Sequence, residues 1–202
     1  MLQIVIQGRG GQGAQTAGHL LAAAFFAAGR EVQCFASYGG ARRGTPVSAS
    51  LRVDERPIRL RCDIERADAL LCFDASLLAG PLLACTDQRT LIVVNSAHDA
   101  AHFALALPGR RVLPVDALAL TRRHGLGRIV NSALLGAFGC ALGALGVGSA
   151  AGAAGAPSLE VLEAVLGEGS PKLRDENLAA CRDGWHLART LQPSQALSPL
   201  SS

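Results

Sequence analysis

The stretch LQIVIQGRGGQGAQTAGHLLAAAFFAAG, residues 2–29, decides how the chain is read. LQIVI is a short apolar run that meets a glycine cluster, which is the mark of a buried strand. The cluster, GRGGQG at 8–13, leads directly into strong helix formers, and Gly29 is a natural stop. In a strand–GxGxxG–helix unit the glycines allow a tight turn and a close backbone approach. The helix N-terminus then faces a phosphate.

A NAD-binding unit of this kind carries an acidic residue about 20 positions on, at the end of the second strand, to hold the ribose hydroxyls. The second apolar run here is EVQCFA, and the position falls on Phe35, Ala36 and Ser37, none of them acidic. The loop SYGGARRGTP follows, with adjacent Arg42 and Arg43 between glycines. Arginine pairs bidentately with phosphate, so the loop suits a ribose that bears its own phosphate. NADP and coenzyme A both have one.

The rest of the chain continues as alternating units. VSASLRVD reads as a strand turning at DERP into a short strand IRLR, an inserted β-hairpin. ADALLCFD, TLIVVN and RRVLPV read as further strands, and SLLAGPLLAC as a helix that Pro81 interrupts or restarts. DALALTRRHG reads as a helix capped by Asp116 and stopped at Gly125. NSALLGAFGCALGALG is a helix apolar nearly all round and hence buried, part of that burial being expected against another subunit. PSLEVLEAVL is amphipathic with Ser158 as its cap, and a long last helix, with a possible bend at Gly184, ends in a polar tail. The expected fold is α/β: an open, mostly parallel sheet with helices on both faces and a Rossmann-like glycine loop after the first strand. Residues 1–190 are expected to form a single domain and 191–202 a disordered tail.

Composition narrows the function. Charged residues are 17% of the chain, against roughly 25% in an ordinary soluble domain. A net charge of +3 with 4% aromatics argues against nucleic acid. The uncharged run between Arg128 and Glu160 is broken by five glycines before it dissolves into Gly and Ala, which argues against a membrane span. Six cysteines lie at least ten residues apart. That spacing supports neither an iron–sulfur cluster nor a structural zinc, and they read as buried, reduced thiols of a cytoplasmic protein. No catalytic constellation stands out. Asp74 ends a strand, where α/β sheets place functional groups, and it equally suits a helix cap.

GRGGQGAQTAGHLLAAA, SYGGARRGTPVSASLRVDERPI, ADALLCFDASLL, VNSALLGAF and a late ENLAACRDGW occur in this order. Together they resemble the gamma subunit of 2-oxoacid:acceptor oxidoreductases, the pyruvate:ferredoxin group above all, over roughly residues 2 to 188. The resemblance implies a complex that oxidatively decarboxylates a 2-oxoacid to an acyl-CoA. Its alpha and beta subunits bind thiamine diphosphate. Electrons leave through iron–sulfur clusters on a ferredoxin-like subunit, with a flavoprotein subunit where NAD is the acceptor. The gamma chain helps bind coenzyme A. Carried onto matching positions, Gly10, Gly11, Gln12, Gly13 and Ala14 would contact the coenzyme's phosphates. Arg42 and Arg43 would lie near it, and Asn131 would reach toward it from the start of the apolar helix. Ala41 stands where the family often has an acidic residue. Two other readings remain beside this one: an NADP-dependent reductase and a non-catalytic α/β scaffold.

The chain holds no thiamine-binding GDG…NN pattern and no ferredoxin-like cysteine cluster. Purified alone under anaerobic conditions it should be colourless and catalytically inert. Visible absorbance from an iron–sulfur centre would contradict this.

Overall fold

The computed structural model describes residues 1–38, 44–144 and 155–191. Six strands form one sheet: β1 (Leu2–Arg9), β2 (Glu31–Tyr38), β3 (Pro46–Asp54), β4 (Ala69–Cys72), β5 (Leu91–Asn95) and β6 (Arg111–Val115). Their order is β2-β3-β1-β4-β5-β6. β1, β4, β5 and β6 pair in parallel, while β3 runs antiparallel to both of its neighbours. The helices are α1 (Ala14–Ala27), α2 (Gly80–Ala84), α3 (Ala100–Ala106), α4 (Ala117–Arg123), α5 (Asn131–Ala144), α6 (Leu159–Gly169) and α7 (Arg174–Leu191).

Side chains alternate across each strand, so the sheet has two differently covered faces. Ile4, Ile6, Leu51, Leu71 and Val93 meet a large core built with α1, α5, α6 and α7. Val5, Leu70, Cys72, Ile92 and Val94 meet a smaller one that includes Leu82 of α2 and Phe103 of α3. Helices cover both faces, as expected, with the heavier layer on the first. No helix among the described residues is long and apolar enough to cross a membrane.

The local signals for helix starts hold. Asp116 accepts from the Ala119 amide at 2.9 Å and Ser158 from the Val161 amide at 3.4 Å. Other readings are corrected. The antiparallel hairpin partner of β3 is β2, and not IRLR, which forms no strand. The segment after β3 is instead held by Arg52, a 2%-exposed cation on β3 that donates to the carbonyls of Cys62 (2.6 Å) and Asp63 (3.2 Å). A helix at 100–106, missed in the sequence, is capped by Asp99, which accepts from the His102 amide. The residues read as a tail beyond 191, and the Gly/Ala run 145–154, lie outside the described residues.

The apolar helix α5 is buried within this chain alone, from Ser132 through Leu142. Its main neighbour is α7, and at their crossing backbone meets backbone. A Cβ on Gly136 would strike the carbonyl of Cys181, and one on Gly184 would strike the carbonyl of Ala133. Gly184 therefore permits a close approach within the continuous helix α7. A buried hydrogen bond from the Ser132 hydroxyl to Asn177 Oδ1 fixes the same pair of helices at 2.5 Å.

Gly136→Ala and Gly184→Ala should each destabilise the chain by about 3 kcal/mol or more, because the added methyl meets backbone that cannot rotate aside. Gly143→Ala, on the same α5 helix with only Ala156 Cβ at 3.9 Å, should be neutral or stabilising by up to about 1 kcal/mol. Urea denaturation of the three variants checks both signs.

Candidate functional site

The glycine loop leaves the C-terminal end of β1 and enters α1, as the sequence reading requires. Gly13 is the residue before the helix, with φ 86° and ψ 17°, a left-handed conformation natural only to glycine. Among the described residues no side chain caps the N-terminus of α1, and no acidic residue sits in its first turn. The first-turn amides lack intrahelical partners and present a partial positive charge. The Nε2 of Gln15, in that turn, is buried and finds no hydrogen-bond partner among the described residues.

Asn131 is brought to this loop. It is the first residue of α5, and a Cβ placed on Gly13 would lie against its side-chain amide. The turn it opens is closed by the Val130 carbonyl, which accepts from the Leu134 amide at 3.0 Å, so Asn131 stands inside the helix rather than as its cap. Gly10, Gly11, Gln12, Gly13, Ala14 and Asn131 thus share one end of the sheet.

Arg42 and Arg43 lie outside the described residues. The two residues after them do not. The Gly10 amide donates to the Thr45 carbonyl at 2.8 Å, and the Gly44 amide donates to the Gly10 carbonyl at 3.2 Å. The end of the double-arginine segment is therefore stitched to the glycine loop. This follows from β3, whose Pro46 stands opposite Arg9 of β1. The same strand displaces β2 from β1, so the end of β2, where a dinucleotide fold places its ribose-binding acid, is two strand spacings away, about 10 Å. The absence of an acid at 35–37 thus carries less information than the sequence spacing implied.

Two side chains at the site were undervalued in the sequence. Arg9 donates from Nε to Asp74 Oδ2 (2.8 Å), from Nη2 to Ser76 Oγ (2.8 Å) and from Nη1 to the Gly44 carbonyl (3.3 Å). Its own amide donates to Gln12 Oε1 at 2.7 Å, and Gln12 Nε2 reaches Asp74 Oδ2 at 3.5 Å. Asp74 does two jobs at once. Its Oδ1 caps a single 3-10 turn (Ala75–Leu77) by accepting from the Ser76 amide and hydroxyl, while Oδ2 takes Arg9. Partial burial, the largest single influence, works to raise the Asp74 pKa. The hydrogen bonds from Ser76 and Arg9 together outweigh it and hold the carboxyl below its usual range. The only sequence signal for Arg9 was its position inside the GxGxxG spacing.

The cysteines divide. Cys72, Cys140 and Cys181 are buried, as expected, but Cys34 and Cys85 are half-buried and Cys62 is exposed. Burial pushes the Cys72 and Cys181 thiols up to about 12, so both are protonated core groups.

Comparison with known proteins agrees with this fold. The family described as pyruvate ferredoxin/flavodoxin oxidoreductase matches residues 3–187. The pyruvate/ketoisovalerate oxidoreductases common subunit gamma of Thermococcus kodakarensis is 35% identical over 180 residues, 87% of this chain and 95% of that protein. Pyruvate synthase subunit PorC of Methanosarcina barkeri is 38% identical over 150 residues, 74% of this chain and 82% of that one. The crystal structure of pyruvate oxidoreductase subunit PORC from Thermotoga maritima superposes with a TM-score of 0.74 at 26% identity, covering 92% of this chain and 95% of that one. A 2-oxoglutarate:ferredoxin oxidoreductase from Magnetococcus marinus, solved with 2-oxoglutarate, coenzyme A and succinyl-CoA bound, shares the fold at a TM-score of 0.74 and 22% identity. Its match covers 95% of this chain and 31% of that longer one. The chain belongs to the pyruvate ferredoxin/flavodoxin oxidoreductase family, among its gamma subunits.

The lowered Asp74 pKa sets a pH dependence. A group depressed in the folded state stabilises it above its unfolded pKa, and that share is lost as pH falls through the folded value. Wild type should exceed Asp74→Asn in stability by about 1 kcal/mol at pH 7, allowing for solvent screening of the half-exposed pair. The gap should narrow below about pH 4, the ordinary aspartate range. Urea titrations of both proteins at pH 7 and at successively lower pH measure it.

Proposed function

We propose that this chain is the coenzyme-A-handling subunit of a thiamine-diphosphate-dependent 2-oxoacid oxidoreductase, working with alpha and beta subunits and a ferredoxin-like iron–sulfur subunit. Thiamine diphosphate on the partners supplies the decarboxylation, iron–sulfur groups carry away the electrons, and the acyl group passes to coenzyme A. This chain's part is to hold the coenzyme and to contribute to the assembly; it does not catalyse alone.

The observation that carries the reading is the meeting of Asn131 with Gly13 at an uncapped helix N-terminus. A left-handed glycine, free first-turn amides and a neutral amide side chain suit a phosphate oxygen, which accepts hydrogen bonds and favours the positive end of the helix. A protein of the same fold carries coenzyme A, and pyruvate and ketoisovalerate are the oxoacids in the names of the gamma-subunit relatives. Arg42 and Arg43, which directly precede Gly44, are assigned to the coenzyme's phosphates, the 3′-phosphate first.

A charge-assisted contact to phosphate contributes roughly 1.5–3 kcal/mol. Arg42→Ala or Arg43→Ala in the assembled complex should raise the apparent KM for coenzyme A about ten- to a hundredfold, with that for the 2-oxoacid nearly unchanged. Dephospho-coenzyme A should bind wild type weakly and bind the responsible variant almost as well as coenzyme A does. If both variants keep the wild-type KM, the arginines are structural and the assignment of this loop is wrong.

A further inference from the structure

The Arg9 guanidinium, at the end of β1 beside the glycine loop, makes one hydrogen bond from each of its nitrogens. Its partners lie on two segments distant in sequence: Asp74 and Ser76 after β4, and Gly44 before β3. Its backbone amide meets Gln12, whose side chain turns back toward the same Asp74 oxygen. Asp74 itself is fixed by the two Ser76 donors. The network therefore joins the floor of the glycine loop, the end of β4 and the end of the double-arginine segment through one ion pair. Arg9 is paired with the Asp74 carboxylate at 2.8 Å, and three of its five N–H donors are directed to Asp74, Ser76 and Gly44.

We infer that Arg9 and Asp74 act as a positioning pair: they set the glycine loop and Gly44 relative to one another, and Arg9 is not itself a phosphate ligand. This rests on the coenzyme reading above and deepens it by assigning which basic residue at the site does not bind the anion. The two roles predict opposite signs for one substitution. If Arg9 bound phosphate directly, Asp74→Asn would remove a competing negative charge and tighten coenzyme binding. If the pair positions the loops, Asp74→Asn loosens them and weakens it. A lysine at position 9 would keep the charge but not the fork that meets three acceptors in different directions, so Arg9→Lys should fail to restore affinity.

The test uses the chain assembled with its partner subunits and coenzyme A as the titrant, read by calorimetry. Asp74→Asn, Arg9→Gln and Arg9→Lys should each raise the dissociation constant about tenfold, the size of one charge-assisted contact. The double variant Arg9→Gln/Asp74→Asn should be little worse than either alone, because both remove the same interaction. The KM for the 2-oxoacid, measured in parallel, guards against a general failure of assembly, and Asn at position 74 retains an acceptor for the Ser76 cap. Tighter or unchanged binding in Asp74→Asn overturns the inference, as does wild-type affinity in Arg9→Lys or full additivity in the double variant. Failure of the wild-type complex to bind coenzyme A takes down the functional reading itself, and the inference with it.

Discussion

The crossing of α5 and α7 is the constraint on which the site depends. Two helices can bring backbone against backbone only where neither carries a Cβ at the contact, and Gly136 and Gly184 meet that condition from opposite sides. The approach buries α5 from Ser132 through Leu142 inside this chain. It also fixes where α5 begins. Asn131 stands at that beginning, so the depth of the crossing places a polar amide on Gly13 of the loop. A core packing decision and the geometry of a candidate binding loop are the same decision.

The second organising feature is the antiparallel β3 between β1 and β2. An uninterrupted parallel unit would set β2 beside β1 and let its end face whatever the glycine loop holds. Here β3 takes that place. Its register sets Pro46 opposite Arg9, so the neighbour of the glycine loop is Gly44–Thr45, joined to Gly10 by two hydrogen bonds. Similarity to a dinucleotide fold in the first 30 residues coexists with a different strand arrangement from residue 31 on.

The sequence made local chemistry legible. The β1–glycine loop–α1 unit and the caps at Asp116 and Ser158 are set by residues within a few positions of one another, and all appear as expected. The antiparallel partner of β3 was misassigned because DERP offers a turn signal as good as the glycine loop at 39–45. Pairing with β2 prevails through the apolar face of Ala49, Leu51 and Val53, which needs the helix-covered side of the sheet. Helix α3 was missed because it has seven residues and buries only Phe103, too little to make a period. Arg9 was passed over because its partners are 35 to 67 residues away, and nothing in a motif spacing announces them.

The charge balance of the site follows from these placements. A helix N-terminus presents roughly half a positive charge, enough to favour one phosphate but not to offset the several negative charges of a nucleotide coenzyme. The charge of Arg9 is paired with Asp74. Asn131 brings a polar amide without charge. The remaining cations close in sequence to the site are Arg42 and Arg43, joined through Gly44 to the loop they would serve. Such a division has a physical logic. The arginine that must stay fixed is held by a carboxylate, which keeps it from competing for the anion. The arginines assigned to the anion immediately precede Gly44 in the chain, and Arg9 of this fixed pair holds the Gly44 carbonyl.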